Sequence, residues 1–199
     1  MKKIVLASNN GGKLREMNQI LQSCALDVVP LSDFSKVAPE ETGLTFVENA
    51  IIKARHACKV SGFPSIADDS GLEVSALQGA PGIYSARYAG RDASDTQNLE
   101  KLLEVMINVD QAQRQARFQC LMVYMRHELD PVPLIVKGTW EGFISREPQG
   151  NNGFGYDPIF YVPEKKCHSA ELEATVKNNL SHRGQALNQL AAAIQKIAE

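Results

Sequence analysis

The sequence predicts an α/β or α+β fold around a mixed β-sheet, and two patterns support this class. In the first half of the chain, short apolar runs alternate with segments whose apolar residues recur every three or four positions, as strands and helices do. In the second half, two long apolar stretches are joined by a short polar turn, which indicates a hairpin. Because both kinds of element occur, we expect them to pack on one sheet, in an arrangement that allows two lobes with a cleft between them.

The first half of the chain is expected to contain four strands and two helices. A strand at 2–7 is followed by a helix at 11–23 and a second strand at 25–31. A polar loop at 32–43 then leads to a long helix at 45–62 and a strand–turn–strand segment at 64–77. The first helix carries its apolar face at Leu14, Met17, Ile20 and Leu21. The long helix is predicted to end at Gly62, because glycine readily adopts the left-handed conformation that closes a helix.

The second half is expected to contain a glycine-rich loop, a helix, the two hairpin strands, another glycine-rich stretch and a terminal helix. The first glycine-rich loop is expected at 79–94 and the helix at 94–106. The hairpin strands are expected at 115–126 and 133–145, the second glycine-rich stretch at 146–164 and the terminal helix at 181–198. The apolar face of the first of these helices consists of Leu99, Leu102, Leu103 and Met106. The inner stripe of the terminal helix consists of Leu187, Leu190, Ala191, Ile194 and Ala198.

The composition is that of a globular protein, and residues 1–199 fit one domain or two closely joined lobes. The net charge is −2, so no basic field favours nucleic acid as a partner. The four cysteines show no CxxC spacing and the four histidines no HExxH spacing, which argues against a zinc ribbon, a redox pair or a zinc-protease site. With no signal peptide and no apolar stretch near the ~20 residues of a membrane helix, we expect a cytoplasmic protein without a membrane partner.

The stretch IVLASNNGGKLRE, residues 4–16, places an amide-rich and glycine-rich turn between a strand and a helix. It is not a P-loop, because Leu14 stands where that motif has a metal-binding hydroxyl. A helix N-terminus nevertheless offers free N–H groups and partial positive charge, which favour a phosphate. The alternative is a simple strand-to-helix turn capped by asparagine. The candidate phosphate ligands in this turn are Ser8, Asn9, Asn10, Gly11, Gly12 and Lys13.

A lysine on the long helix is placed unusually for a solvent-exposed charge. Asn49 and Lys53 follow Phe46 by three and seven residues, so both fall beside the apolar stripe of the helix. Lys53 is therefore expected to point inward or along an interface, where it could reach an anionic ligand. The alternative is that its stem lies along apolar surface and its amine reaches water.

Two pairs of acids could hold a metal ion. Glu40 and Glu41 lie in a loop, and Asp68 and Asp69 lie where a strand is expected to end. Carboxylates in such positions, with waters and substrate phosphates, are ligands that Mg²⁺ prefers. Because adjacent strand residues face opposite sides of a sheet, only one of the two aspartates is expected to face the site. The alternative is that Asp68, Asp69 and Ser70 form an Asx turn.

Two late segments could recognise a base. GNNGFGYDP, residues 150–158, holds Phe154, Tyr156 and Asp157 among glycines, so its aromatics could stack on a base or could instead close a core. In LSHRGQAL, residues 180–187, His182 and Arg183 occupy the first turn of the terminal helix after the expected N-cap. These cations could bind an anion or a carbonyl group, or could form a solvated basic patch.

Cations, carboxylates, an amide turn and a stacking loop together suit a nucleoside triphosphate with Mg²⁺. In this order, IVLASNNGGK, EETGLTFVENAIIKAR, ADDSGLEVSALQGAPGIYSARYAG, GFGYDPIF and LSHRGQAL also resemble the bacterial branch of the inosine triphosphate pyrophosphatase family over nearly the whole chain. These are house-cleaning enzymes, also described as dITP/XTP diphosphatases. One departure is Ser8-Asn9-Asn10, where the family often has Thr-Gly-Asn.

The resemblance implies an α/β fold with a long central mixed sheet, flanked by α/β lobes on either side of a deep nucleotide cleft, and usually a homodimer. It implies Mg²⁺-dependent hydrolysis of dITP, ITP and XTP to the monophosphate and pyrophosphate, which removes abnormal purines from the nucleotide pool before they enter DNA or RNA. The preferred order among these three substrates does not follow from it.

The resemblance also assigns roles to residues. Lys53 and the turn residues, Ser8, Asn10 and Lys13 above all, are implied to hold the triphosphate. Glu41, with Glu40 as a further candidate, and Asp69 are implied to bind Mg²⁺. Asp69 is also the implied general base, with Asp68 as the fallback. The remaining substrate-binding residues are Ser70, Phe154, Gly155, Tyr156, Asp157, Lys177, His182 and Arg183, with Phe154 stacking on the base and His182 or Arg183 donating to its 6-keto oxygen.

Two other functions stay open at this point. One is a non-catalytic nucleotide sensor, which the acids beside the proposed phosphate site disfavour. The other is a related house-cleaning enzyme that acts on modified pyrimidine nucleotides.

Overall fold

The structure is a computed structural model that describes residues 2–8, 17 and 26–198. The turn residues from Asn9 to Lys13 lie outside the described residues, as does most of the predicted helix 11–23. Of that helix, Met17 is described; it is helical and fully buried, in agreement with its predicted place on the apolar face.

Strands and helices alternate along the described chain as the sequence predicts. The strands are β1 Lys2–Leu6, β2 Leu26–Pro30, β3 Ser65–Val74, β4 Gln115–Met125, β5 Leu134–Ile144, β6 Phe160–Val162 and β7 Cys167–His168. The helices with described bounds are α1 Phe46–Ser61, α2 Asp95–Val105, α3 Ala174–Leu180 and α4 His182–Ala198.

The strands form one seven-stranded sheet in the order β2-β1-β3-β4-β5-β6-β7. β1 pairs in parallel with both β2 and β3, whereas β6 pairs antiparallel with β5 and β7. The sheet is therefore mixed, and the predicted α/β class is confirmed. No described helix is both long and apolar enough to span a membrane.

The chain divides into two compact units. The first comprises Met1–Asp69, Cys120–Gly138 and Arg183–Glu199, and the second comprises Ser70–Gln119 and Thr139–His182. Each unit has its own apolar core, and each is described separately below.

In the first unit, alternate strand residues face two different helices. On one face, Val5, Ala7, Ala67, Val123 and Met125 pack against Ala50, Ala54 and Ala57 of α1. On the other face, Ile4, Leu6, Ile66, Cys120 and Met122 pack against Ala186, Leu187, Leu190 and Ile194 of α4. This alternation follows from the two-residue period of a strand, and it assigns one helix to each side of β3.

In the second unit, the core is aromatic. Phe118, Trp140 and Phe160 pack together, with ring centroids 4.6 Å apart for Phe118 and Phe160 and 5.2 Å apart for Trp140 and Phe160. The predicted apolar face of α2 packs on this cluster through Leu99, Leu102 and Met106. These aromatic side chains supply much of the apolar area that stabilises this unit.

Local signals fix both ends of α1. The hydroxyl of Thr45 accepts a hydrogen bond from the backbone N–H of Glu48, and the Glu48 carboxylate accepts one from the N–H of Thr45, which is a capping box. Gly62 closes the helix in the left-handed conformation, with φ of 72°. The predicted helix 45–62 is therefore confirmed.

Three predictions about secondary structure were wrong or incomplete. Residues 64–77 do not form a strand, a turn and a strand, because β3 runs unbroken from Ser65 to Val74. The polar run Asp68–Ser70 favours a turn locally, but pairing within the sheet outweighs that preference. Within the predicted loop 79–94, residues 82–87 form a 3₁₀ helix. β7 and α3 were not predicted, since they are too short to show a hydrophobic period.

Candidate functional site

Four polar side chains of the first unit form a cluster, here called the carboxylate–lysine cluster: Glu41, Asn49, Lys53 and Asp69. The ammonium Nζ of Lys53 lies 2.8 Å from Oδ1 of Asp69 and 3.1 Å from Oε1 of Glu41. The amide Nδ2 of Asn49 donates to Oδ2 of Asp69 at 3.3 Å. The side chain of Lys53 is 14% exposed, so the lysine points inward as predicted and its amine is held by two carboxylates.

The loop that carries Glu41 is fixed against the start of α1. The backbone N–H of Gly43 donates to Oδ1 of Asn49 at 2.8 Å, and the N–H of Leu44 donates to the Glu48 carboxylate at 2.9 Å. A Cβ atom at Gly43 would lie 2.6 Å from Cβ of Glu48 and 2.7 Å from Oδ1 of Asn49. Position 43 therefore requires glycine, and Asn49 joins this loop to Asp69.

The cluster carries more negative than positive charge. Burial lowers the pKa of Lys53, but the charges of Asp69, Asp68 and Glu41 outweigh it and leave that pKa above its ordinary value. Burial raises the pKa of Asp69, and Glu41 raises it further, against the opposing effect of Lys53. The raised pKa of Lys53 therefore comes from the neighbouring carboxylates, whereas the raised pKa of Asp69 comes first from its burial and then from Glu41.

Asp68 lies on the opposite side of β3 from Asp69, as the sequence predicts. Its Oδ2 lies 3.9 Å from Nε of Arg183 in α4, and both side chains are buried. Arg183 is therefore not part of a solvated basic patch. Ser8 follows β1, whose last residue, Leu6, pairs with Ile66 of β3.

A second group of polar side chains lies in the second unit and is here called the Phe154 cluster: Phe154, Asp157, Ser169 and Lys177. Oδ2 of Asp157 accepts hydrogen bonds from the N–H of Phe154 at 2.8 Å and from Nζ of Lys177 at 2.5 Å. Oδ1 of Asp157 accepts one from the hydroxyl of Ser169 at 2.8 Å. The ring of Phe154 is 41% exposed, and Nζ of Lys177 lies 5.5 Å from its centroid. An exposed ring beside a fixed cation suits a planar ligand.

Two glycines shape the loop around Phe154. Gly153 has φ of 80°, and a Cβ atom there would lie 2.1 Å from Oδ2 of Asp157 and 2.7 Å from Nζ of Lys177. The N–H of Gly155 donates to Oδ2 of Asp95 at 2.9 Å, which ties the loop to the first turn of α2. Gly155 was predicted to bind substrate, and the structure gives its N–H this protein partner.

The two aromatics of the glycine-rich loop have different environments. Tyr156 is buried in the aromatic core, and its hydroxyl donates to the carbonyl of Ser85 at 2.8 Å. Burial raises the pKa of this hydroxyl well above its ordinary value. Tyr156 thus closes a core, whereas the ring of Phe154 is partly exposed.

The other predicted site residues are distributed as follows. His182 is buried, and its ring stacks on Phe118 with centroids 4.8 Å apart. Ser70 is half-buried in β3. Glu40 is exposed, and no described contact joins it to the carboxylate–lysine cluster. The turn residues Asn9, Asn10, Gly11, Gly12 and Lys13 lie outside the described residues.

Sequence reasoning missed Gly43, Asp95 and Ser169 as residues that support these clusters, whereas the glycine loop that includes Gly153 was predicted to hold Phe154. For Gly43 a signal existed, because a glycine just before a capping box indicates a close backbone approach. For Asp95 and Ser169 no local signal existed, since they contact Gly155 and Asp157 across 60 and 12 residues of chain.

The fit of the first cluster to a divalent cation can be tested on its donor set. Among the described residues, no group of three or more histidine, cysteine, aspartate or glutamate side chains gathers around one point. Mg²⁺, however, is commonly held by one or two carboxylates with waters and substrate phosphates. Glu41 and Asp69 already share one cation, Lys53, and their excess negative charge matches what a hard divalent cation neutralises. The residues present therefore fit Mg²⁺ bound together with a polyphosphate.

Comparisons with known proteins agree with the fold. The chain is 60% identical over 195 residues to the dITP/XTP pyrophosphatase of Photobacterium profundum, covering 98% of this chain and 99% of that protein. It is 61% identical over 196 residues to the dITP/XTP pyrophosphatase of Vibrio vulnificus, covering 98% of each. The solved structure of a HAM1 protein from Coxiella burnetii superposes with a TM-score of 0.94 at 52% identity, covering 98% of this chain and 100% of that one. The Ham1 family model matches residues 4–193, and the chain belongs to the Ham1 family.

Proposed function

We propose that this protein is a hydrolase that converts dITP, XTP and ITP to the nucleoside monophosphate and pyrophosphate. Two full-length relatives at about 60% identity are named dITP/XTP pyrophosphatase, which supports the reaction class. The observation on which the proposal depends is the carboxylate–lysine cluster, where Lys53 contacts both Glu41 and Asp69.

In this proposal Lys53 binds a phosphate oxygen of the substrate. Its ammonium group has three N–H donors, and contacts with Asp69 and Glu41 leave one for a ligand. The two carboxylates hold the amine in place, so little side-chain freedom is lost when the phosphate binds. Ser8 and the turn residues that follow it are proposed to bind the same polyphosphate.

Glu41 and Asp69 are the proposed ligands of Mg²⁺, with Glu40 a weaker candidate because it is exposed. When bound, Mg²⁺ supplies positive charge against the phosphate oxygens, which stabilises charge on the leaving pyrophosphate. The charge of a bound Mg²⁺ would also neutralise carboxylate charge that Lys53 alone leaves unbalanced.

Asp69 is proposed as the general base that takes a proton from the attacking water. Burial raises the pKa of Asp69, which makes its carboxylate a stronger base than that of an ordinary aspartate. Lys53 and Asn49 hold its two oxygens in fixed directions. Asp68 is the less suitable base, because it faces Arg183 on the other side of β3.

The Phe154 cluster is proposed to recognise the purine base. The exposed ring of Phe154 offers a stacking surface, and such contacts contribute about 1–3 kcal/mol per base. Lys177 is held by Asp157 and retains N–H donors for a keto oxygen. Hypoxanthine and xanthine present that acceptor, whereas adenine presents an amino donor, so a fixed donor there opposes adenine. Arg183 and His182 are proposed as further keto donors.

We further propose that the protein acts as a homodimer in the cytoplasm, where it removes abnormal purine nucleotides before polymerases use them. These statements follow the family resemblance and are testable by sedimentation and by mutation rate in a strain that lacks the protein.

The direct test is a panel of nucleoside triphosphates with Mg²⁺, assayed separately for pyrophosphate and orthophosphate. We expect pyrophosphate from dITP, ITP and XTP, and much less from ATP, GTP and the pyrimidine nucleotides. Release of orthophosphate in place of pyrophosphate would contradict the proposed reaction. Preference for a modified pyrimidine would favour the related pyrimidine-directed enzymes.

A nucleotide sensor is separated from an enzyme by Asp69→Asn. An enzyme should lose turnover and still bind ITP, because Asn keeps the size of the side chain and removes its basicity. A sensor has no turnover to lose. Equal and negligible hydrolysis by the parent chain and by Asp69→Asn, with intact ITP binding, would therefore favour a sensor. Binding measured by calorimetry provides the second readout.

A further inference from the structure

Ser169 connects the Phe154 cluster to a short turn of the second unit. Ser169 is fully buried, and its hydroxyl donates to Oδ1 of Asp157 at 2.8 Å. The other oxygen of this carboxylate, Oδ2, accepts from the N–H of Phe154 and from Nζ of Lys177. One oxygen therefore holds the two residues proposed to contact the base, and the other is held by Ser169.

The turn that carries Ser169 has hydrogen bonds of its own. It is the 3₁₀ helix Ser169–Glu171, and the Glu171 carboxylate accepts from the backbone N–H of His168 in a capping box. The N–H of Leu172 donates to the carbonyl of Ser169 at 3.2 Å. Because these bonds are local, the turn sets the position from which the hydroxyl of Ser169 reaches Asp157.

The glycine-rich loop also lies against this turn. The backbone N–H of Asn152 donates to the carbonyl of Ala170 at 2.9 Å, and its amide Nδ2 donates to the carbonyl of Leu172 at 3.3 Å. A Cβ atom at Gly150 would lie 2.4 Å from the carbonyl carbon and oxygen of Ala170. Position 150, with φ of 82°, therefore requires glycine, and the turn supports both the loop and the carboxylate within it.

The hydroxyl of Ser169 determines how Lys177 uses its N–H donors. An ammonium group has three donors, and Lys177 directs one of them to Oδ2 of Asp157. Asp157 is 4% exposed, so without Ser169 its Oδ1 would be a buried acceptor that has lost its donor. Rotation about the Cβ–Cγ bond of an aspartate is soft, so the carboxylate can turn until Lys177 donates to both oxygens. The ammonium group would then point elsewhere and have fewer donors for a ligand.

We propose that Ser169 is a specificity-determining positioning residue, which fixes the plane of the Asp157 carboxylate and keeps donors of Lys177 directed at a keto group of the base. The inference rests on the proposed recognition of the base by the Phe154 cluster. Ser169 acts through Asp157 and Lys177 and does not contact the base. It favours 6-keto purines over adenine, which presents an amino donor in place of the keto acceptor.

The test compares Ser169→Ala with the parent chain. We measure kcat/KM for ITP and for ATP, and the affinities of IMP and AMP by calorimetry, which needs no turnover. Ser169→Ala should lower the ITP-to-ATP ratio of kcat/KM and the IMP-to-AMP affinity ratio by about tenfold each, chiefly through a higher KM for ITP. A loss of activity that leaves both ratios unchanged would overturn the proposal, because it would show that Ser169 only supports the fold.

Ser65→Ala is the matched control. Ser65 is also fully buried, and its hydroxyl donates to the carbonyl of Ala54 at 2.8 Å in the first unit. The control loses a comparable buried hydrogen bond and should keep both ratios. Ser169→Cys keeps a weak donor at the position and should give ratios between those of the parent chain and Ser169→Ala. Equal changes in Ser65→Ala and Ser169→Ala would contradict a specific role for Ser169.

The parent chain separates this inference from the proposed function. If the parent chain prefers ITP and IMP, and Ser169→Ala keeps that preference, the role of Ser169 is wrong and recognition of the base stands. If the parent chain distinguishes neither ITP from ATP nor IMP from AMP, the proposed recognition of the base fails, and the inference about Ser169 fails with it.

Discussion

The two polar clusters treat a buried lysine differently. Lys53 contacts the carboxylates of Asp69 and Glu41, and the charge of Asp68 also acts on it, so its surroundings keep a net negative charge. Lys177 contacts one carboxylate, Asp157, and lies beside the exposed ring of Phe154. The first arrangement is suited to adding a further cation together with a polyphosphate. The second is electrically balanced and suited to a flat, weakly charged group such as a base. The number of acids around the lysine amine therefore decides whether a cluster suits a cation with a polyphosphate or a base.

The clusters also differ in how the backbone holds them. Glu41, Asn49, Lys53 and Asp69 come from α1, β3 and a loop fixed to the start of α1. The Phe154 cluster depends on a glycine loop that Asp157 and Asp95 hold by accepting backbone hydrogen bonds. A site on regular elements can position reacting atoms closely, whereas a loop can adapt to different bases. Four substitutions test this contrast, in order of expected effect.

Asp69→Asn should have the largest effect. If Asp69 is the base, kcat should fall by about 10²–10⁴-fold.

The folded Asp69→Asn protein should be as stable as the parent chain or more stable at neutral pH. This follows because a raised folded pKa means that ionisation of Asp69 weakens the fold, and Asn removes that ionisation. Thermal unfolding at pH 7 and at about pH 3.5 checks the sign, since the difference should vanish in acid. Lys137→Gln changes an exposed charge of the first unit and is the control, which should change kcat less than twofold.

Lys53→Gln should lower stability more than any other substitution in the first cluster. It leaves Asp69, Asp68 and Glu41 without their shared cation, and removing one partner of a partly buried ion pair costs about 2–4 kcal/mol. Denaturant unfolding at pH 7 measures this loss. Combining it with Asp69→Asn should recover part of the stability, because one of the unpaired charges is gone. Strict additivity of the two changes would contradict the coupling.

Phe154→Ala tests the second cluster. Loss of a stacking surface should raise KM for ITP by about tenfold and change kcat little, since the ring contacts the base and not the reacting phosphates. Phe154→Trp should restore binding. A fall in kcat of the same size as the rise in KM would show that the ring acts on the reaction itself. Stability should change little because the ring is partly exposed.

In the protein without Mg²⁺, Glu41→Gln should produce a shift in the pKa of Asp69, which is the smallest of the four measured effects. The charge of Glu41 raises that pKa, so removing it should move the titration of Asp69 to lower pH. Carboxyl ¹³C NMR of the protein without Mg²⁺ measures this directly. In the parent chain the midpoint should lie above the ordinary aspartate value of about 3.9. An unchanged or higher midpoint in the variant would show that the two carboxylates do not interact.

Features with local causes were predictable from the sequence. Thr45, Glu48 and Gly62 give the bounds of α1 because caps act within a few residues. The division of Asp68 and Asp69 between two faces follows from strand geometry alone. The inward direction of Lys53 follows from its place beside the apolar stripe of a helix.

Features that depend on distant contacts were not predictable. The run Asp68–Ser70 reads as a turn, but it lies within β3, whose neighbours in the sheet, β1 and β4, come from distant parts of the chain. The bond between Ser169 and Asp157 and that between Asp95 and Gly155 arise only when the second unit folds. Tyr156 and Phe154 are two residues apart in one loop, and only the fold reveals that one is buried and the other exposed.

The alternation along β3 constrains how this segment can change in evolution. Ile66 and Asp68 face α4, whereas Ala67 and Asp69 face α1. Losing or gaining one residue between Ser65 and Asp68 would exchange the partners of the two aspartates, so that the acid beside Lys53 would meet Arg183 instead. A change of two residues would restore the order. Natural variation in the length of this segment should therefore occur in even steps or not at all.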